Sequence, residues 1–449
     1  MAARKTPATK KTAKKTRATK TTKKTAKKAT KKTAKRTARK TKPQKGVRRV
    51  DPGLSREARL AAIENLLNKP GQPPVIKRAS DYSSSYLLRR PTGITSLDIA
   101  LAGGFPASAP VMITGPDGAG KDYLLFRTCA EVQRLYGDDF AMAIYLSEFK
   151  LDKPFVRDLC GLKIAATDEE LDETDTAREN AGLPPLTPEE RERYQEQDGH
   201  IMIIEGVPAE HGFDAVIQCV ASNAFQVVAV NSIGFMQTLA KLDQESYEGF
   251  AQQRNEAILL SKFMPDLSLT MNATGLAGER NETSVILIDQ VRSKDAAPRA
   301  MKGRAPQAKD KYRSARQVWA VKHGLAIILE IHKGKRHYDE SEGVYIGRVT
   351  PWELTKGKLG THDGIKGEYN FFYKGGADHL GDLLVTATDL GVIEVRGSYY
   401  VFEDPKMPEL SFSQQGKHAA RYHIATTDGL VDRLRYLCFQ GARVPYRHT

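Results

Sequence analysis

The stretch Val111-Met-Ile-Thr-Gly-Pro-Asp-Gly-Ala-Gly-Lys-Asp-Tyr123 constrains this chain more than any other. A short apolar run of β type leads into Gly115-x-x-x-x-Gly120-Lys121, and an apolar helical pattern follows at Leu124, Leu125, Cys129 and Val132. Strand, glycine loop and helix in that order frame a phosphate-binding P-loop. Gly118 and Gly120 let the backbone curl until successive N–H groups face one anion. The helix behind the loop adds its N-terminal partial positive charge, and Lys121 is long enough to reach terminal phosphates. Gly115, Pro116, Asp117, Gly118, Ala119, Gly120, Lys121, Asp122 and Tyr123 are therefore the candidate nucleotide contacts. One position departs from the pattern. The residue after the lysine normally offers Mg²⁺ a hydroxyl, and here it is Asp122. For such a motif alone, a glycine-rich βα turn with an exposed lysine is the plain alternative.

Composition sets the outer limits. A chain of 449 residues has room for two or three domains. Its formal charge of +15 divides unevenly: residues 1–50 hold 22 of the 69 Lys and Arg and no acid, leaving 47 basic against 54 acidic residues beyond. A mildly acidic body thus carries a strongly basic tail. Residues 1–49 repeat Lys-Lys-Thr-Ala and near relatives, with almost no large apolar side chains, and are expected to be disordered alone. Their charge suits sequence-independent binding to a phosphate backbone, while a solvating tail or targeting signal is the plainer reading. Cys129, Cys160, Cys219 and Cys438 form no C-x-x-C pair and predict reduced thiols in a cytoplasmic protein. No apolar run approaches the ~20 residues that span a bilayer, so no membrane partner is expected. The N-terminus shows no secretory apolar region.

Along the chain, Leu54 to Leu67 has helical spacing with Ser55 as its N-cap, and Pro74-Val75-Ile76-Lys77 reads as a short edge strand. The blocks that follow carry a resemblance. Pro91-Thr-Gly-Ile-Thr-Ser-Leu-Asp-Ile-Ala-Leu-Ala-Gly-Gly104 precedes the P-loop, and Tyr145-Leu-Ser-Glu148 ends a later apolar run. Val227-Val-Ala-Val-Asn231 and Ser284-Val-Ile-Leu-Ile-Asp-Gln290 come next, then Ala320 to Ile331, Thr355-Lys356-Gly-Lys358, and Phe371-Phe-Tyr-Lys-Gly-Gly. In this order the blocks resemble the RecA/RadA family of DNA strand-exchange ATPases over roughly residues 54–402, and the tail resembles linker-histone-like tails. The resemblance implies an α/β fold with a RecA-like P-loop ATPase core: a twisted, mostly parallel sheet flanked by helices. It also implies a small N-terminal oligomerisation segment, a small C-terminal α/β module and a disordered basic tail. The expected boundaries are 1–49 for the tail, 50–80 for the N-terminal segment, 81–375 for the core and 376–449 for the C-terminal module. Asp168–Asp175 and Pro188–Arg193 form an acidic insertion at about 165–198, read as solvated surface helices around a Pro184-Pro185 break.

Site roles follow from the same resemblance. Glu148 stands where the family's catalytic carboxylate ends its strand, and a carboxylate near a P-loop can polarise an attacking water. An exposed strand-end acid is the alternative. Asp152 and Phe155 match positions that contact adenine, and Gln290 matches the glutamine that senses the terminal phosphate. Lys356 and Lys358 match paired lysines that reach a neighbouring subunit's nucleotide, acting like arginine fingers, and Lys322 matches another interface position. The implied ligands are ATP and Mg²⁺. The family's Walker B carboxylate is here Asn231, so Asp122 and Asn231 exchange acid and neutral oxygen across the metal. Either the metal carboxylate has been relocated, or the site has decayed and hydrolyses ATP slowly.

The DNA surface is expected from two loops. The first spans roughly Thr238 to Tyr247 and precedes a helix carrying Arg254. The second follows Gln290 and holds Arg292, Lys294, Arg299, Lys302, Arg304, Lys309, Lys311, Arg313 and Arg316 among turn residues. Such a run suits backbone tracking without base readout. The implied function is ATP-dependent homologous recombination: filament formation on single-stranded DNA, pairing with duplex, strand exchange and DNA-stimulated hydrolysis. Single- and double-stranded DNA and further copies of the chain are the expected partners, with mediator or single-strand-binding proteins as candidates. The expected location is cytoplasmic, at a nucleoid or in a host cell if the source is a phage. A DNA-coating protein with a degenerate ATPase and a RecA-fold helicase or loader are the competing readings.

Overall fold

The computed structural model describes residues 51, 53–72, 74–81, 88–148, 150–195, 200–242, 252–273, 280–293, 312–314 and 319–446. The chain divides into two units, residues 1–66 and 67–449. In the first, the helix Arg56–Leu67 starts where the Ser55 hydroxyl accepts a hydrogen bond from the Ala58 amide at 3.2 Å, the N-cap read from sequence. The edge strand expected at residues 74–77 is absent. The Asn68 side chain takes the amides of Val75 and Ile76 at 2.8 and 3.0 Å and donates to the Ile76 carbonyl at 2.8 Å. The Val75 and Ile76 amides, satisfied by a side chain in this way, are not available to a neighbouring strand.

The second unit is built on one large mixed sheet. Its central strands run His200–Glu205, Ala141–Leu146, Val227–Asn231, Ser284–Ser293, Pro110–Gly115 and Ile327–Ile331 across the sheet, and all pair in parallel. Val344–Lys356, Lys366–Phe372 and Gly376–Ala377 extend it by antiparallel pairing. Strands covered on both faces read as continuous apolar runs rather than alternating ones. Val227-Val-Ala-Val accordingly has all four residues buried. One face packs against the helix Lys121–Tyr136, which buries Leu124, Leu125, Cys129 and Val132 with Ile113, Ile144 and Ile288. The other packs against Ala209–Ser222 and Gln252–Asn272, where Phe213 stacks on Phe263 with ring centroids 3.9 Å apart.

Two appendages have cores of their own. The acidic insertion folds as helices Asp168–Asn180 and Pro188–Gln195 around Leu171, Leu186 and Tyr194. Each helix starts with a reciprocal cap, Thr167 with Glu170 and Thr187 with Glu190. Residues beyond Gly375 form helices His379–Asp389, Lys417–Thr426 and Leu430–Gly441 over a three-stranded antiparallel sheet.

Candidate nucleotide-binding site

In a parallel sheet, ligands gather beyond the carboxyl ends of the strands. The strand Pro110–Gly115 ends there, with Gly115 paired to Ile331 on one flank by close approach and to Gln290 on the other by register. A β-carbon on Gly115 would lie 2.3 Å from the Ile331 carbonyl oxygen, so only glycine lets the strands meet. The loop then turns through Gly118 at φ +59° and Gly120 at φ +101°, a region that glycine enters without steric cost. Lys121 opens the helix, is 5% exposed, and donates from Nζ to the Pro116 carbonyl at 3.0 Å. Burial holds its ammonium below the usual lysine range, against the carboxylates of Asp122, Asp117 and Glu148.

Asp122 opens onto a cavity of about 520 Å³ beside this loop. Protein crowding raises its pKa above the ordinary aspartate value, against the Lys121 ammonium and a hydrogen bond from the Asn231 side chain. The two positions assigned to the metal are therefore neighbours in the lining of one cavity. Among the described residues, no three His, Cys, Asp or Glu side chains gather as a metal cluster. Asp122 and Asn231 offer two hard oxygens at the cavity wall, which suits a Mg²⁺ that takes its remaining ligands from phosphate and water. The donor set fits that ion.

Glu148 and Gln290 meet although 142 positions separate them. Register places Leu146 beside Asn231, and the Ser147 amide donates to the Asn231 carbonyl at 2.9 Å. Glu148 then receives the Gln290 amide at 3.0 Å on Oε1 and 3.2 Å on Oε2, and the Ser232 hydroxyl at 3.2 Å. Burial raises the Glu148 pKa, opposed by these hydrogen bonds to its charged form. A carboxylate held this way at the cavity edge is placed to orient and deprotonate a water.

The cavity's other walls are apolar and aromatic. Leu151, Phe155, Val156, Leu159, Phe371 and Tyr373 supply this part of the lining. Asp152 lines it too, although its carboxylate accepts the Phe155 amide at 3.0 Å and so also caps the short helical turn Phe155–Leu159. Tyr123 borders the cavity, but its hydroxyl accepts the Ala377 amide at 2.8 Å and its ring meets Phe371 edge-on at 4.8 Å. Arg348, Phe371 and Tyr373 were not singled out from sequence. The Phe371-Phe-Tyr block was the signal for the two aromatics, whereas nothing local marks Arg348.

Lys356 and Lys358 do not line this cavity within their own chain. Lys356 Nζ donates to the Lys322 carbonyl, and burial plus repulsion from Lys358 and Lys322 lowers its pKa. The three lysines thus cluster apart from the P-loop. In the candidate DNA loops, Arg254 lies in the helix Gln252–Asn272, and Arg292 pairs in register with Arg313 on the strand Tyr312–Ser314. That hairpin closes the basic segment. Lys294, Arg299, Lys302, Arg304, Lys309, Lys311 and Arg316 lie outside the described residues, as do positions 243–247 of the first loop and the basic tail.

No family model matches the chain. It is similar to curated proteins described as Protein RecA: 26% identical over 383 residues to that of Nitratidesulfovibrio vulgaris, covering 84% of this chain and 87% of the relative. The Ruminococcus albus protein is 23% identical over 352 residues, covering 78% and 72%. The Bacteroides thetaiotaomicron protein is 22% identical over 385 residues, covering 85% and 95%. Among solved structures, the crystal structure of the RadB recombinase aligns at 18% identity and TM-score 0.34, over 63% of this chain and 96% of that one.

Proposed function

We propose that this chain, a divergent RecA/RadA-family protein, is an ATP-dependent recombination protein that coats single-stranded DNA, pairs it with homologous duplex and exchanges strands. The observation that carries the reading is the contact between Glu148 and Gln290 at the edge of the P-loop cavity. In it, Glu148 accepts the proton of an attacking water, and Lys121 neutralises charge on the phosphates. Asp122 and Asn231 would hold Mg²⁺, which when bound would add to the neutralisation of the phosphate oxygens. Gln290 begins the segment that leads through Arg292 into the basic loop, so a shift of its amide from Glu148 toward a nucleotide would be felt at the candidate DNA surface. Lys356 and Lys358, distant from their own cavity, would serve that of an adjacent copy, making hydrolysis depend on assembly.

The reading is tested by joint-molecule formation between circular single-stranded DNA and homologous linear duplex, with and without ATP, alongside electron microscopy. Joint molecules that require ATP and homology, on filament-coated DNA, support it. Coated DNA with no homologous pairing would leave a DNA-coating protein, and rings would point to a helicase or loader.

A further inference from the structure

Arg348 is a half-buried guanidinium with no carboxylate paired to it among the described residues. It sits on the strand Val344–Lys356, in register with Phe371, and its Cζ lies 5.7 Å from the centre of the Phe371 ring. Among the described residues it makes no salt bridge, and its buried Nε has no hydrogen-bond partner. It nevertheless lines the nucleotide cavity, with one terminal nitrogen 3.5 Å from where a β-carbon on Gly120 would sit. Lys333 approaches the same loop from the same flank. Its Nζ is 3.5 Å from the β-carbon position of Gly118, and backbone hydrogen bonds of His332 to Pro351 and Gly334 to Val349 hold the segment that carries it.

A guanidinium removed from water without a counter-charge is costly, whereas a fork of N–H donors facing an anion is favourable. The loop beside it exists to hold an anion. We infer that Arg348, assisted by Lys333, contacts the phosphate chain of the bound nucleoside triphosphate from within the same subunit, as a second cationic wall opposite Lys121. This inference rests on the nucleotide-site reading. It adds that the nucleotide's charge is met in cis, before any neighbouring subunit contributes.

The test is equilibrium binding of fluorescent ATP and ADP to the full chain without DNA, with adenosine as competitor. Wild type is compared with Arg348→Ala, Arg348→Gln, Lys333→Ala and Lys121→Ala, each checked by thermal melting. Losing charge-assisted hydrogen bonds to phosphate should weaken ATP and ADP binding roughly 10- to 100-fold in both Arg348 variants. Adenosine competition should stay within about threefold, and Lys333→Ala should show a smaller phosphate-dependent loss. Arg348→Gln keeps the stem over Phe371, so it carries the test if Arg348→Ala melts early. A folded Arg348 variant that binds ATP like wild type overturns the inference, as does an equal loss for adenosine. An equal mixture of Arg348→Ala and Lys121→Ala subunits should bind no better than either alone, and recovery in the mixture would refute action in cis. If wild type binds no nucleotide, or Lys121→Ala binds as well as wild type, the site reading itself fails and the inference with it.

Discussion

The Asn231 side chain, at the end of the strand Val227–Asn231, favours the charged form of the Asp122 carboxylate, which follows the P-loop lysine. An acid on the loop side of the cavity and a neutral amide on the strand side thus line the same cavity as neighbours. A charge moved from one side to the other leaves the local total unchanged, which is what a relocated metal ligand requires. Asp122→Thr alone and Asn231→Asp alone should each reduce Mg²⁺-dependent ATP hydrolysis at least tenfold, by removing the acid or by crowding two acids together. The double variant should recover most of the loss. Independent, additive losses would show two unrelated decays instead.

Gln290 holds Glu148 through two hydrogen bonds and leads into the strand pair in which Arg292 is in register with Arg313. Gln290→Ala should therefore separate chemistry from DNA. Basal turnover without DNA should fall only a few-fold, while stimulation by single-stranded DNA should be lost, together with the ATP dependence of DNA affinity. Comparing turnover with and without oligonucleotide reads both effects.

Arg435 joins the C-terminal helices to the P-loop helix. It is 6% exposed and donates to Glu131 at 2.6 Å, with Asp98 3.5 Å away. Burial opposes the charge on Glu131, but Arg435 and Arg134 outweigh it and hold the carboxyl well below the usual carboxylate range. Arg435→Met removes the cation beside buried Asp98 and one of three around Glu131, which keeps Arg127 and Arg134, and should cost about 3 kcal/mol in urea unfolding. That contribution is present above the ordinary glutamate pKa and is lost as pH falls through the depressed folded value, so wild type and variant should converge in acid.

His379 is half-buried beside the Gly93 carbonyl, at 3.0 Å from Nδ1, and the Tyr123 hydroxyl, at 3.4 Å from Nε2. Burial, aided by Arg127, pushes its pKa down to about 4 from 6.5. The imidazole is neutral in both folded and unfolded chains above the higher value, so it adds no pH dependence there. Between the two values the unfolded chain takes up a proton that the folded chain refuses, and stability falls on acidification. His379→Gln should flatten that part of the stability–pH curve, which denaturant midpoints measured from pH 7 down to 4 would reveal.

The P-loop was legible because its glycines, its lysine and the leading apolar run lie within 13 consecutive positions, with an apolar helical pattern immediately after. Val227–Asn231 was legible because burial on both faces demands an unbroken apolar run. The contact between Glu148 and Gln290 was not, since it needs two strand registers to bring the ends together. Arg348 was invisible for a similar reason: an arginine in a polar-apolar strand looks solvated until Phe371 and Gly120 are placed around it. Pro74–Lys77 misled because β-type composition says nothing about Asn68, which supplies the hydrogen bonds another strand would have made.

The most direct measurement is steady-state ATP hydrolysis by the full chain, with and without single-stranded DNA, beside Lys121→Ala and Glu148→Gln. The expected result is DNA-stimulated turnover that falls at least 100-fold in Glu148→Gln with nucleotide binding retained, and that disappears with binding in Lys121→Ala. Absence of turnover in wild type while DNA is still bound, or turnover untouched in Glu148→Gln, would contradict a working P-loop motor at this site.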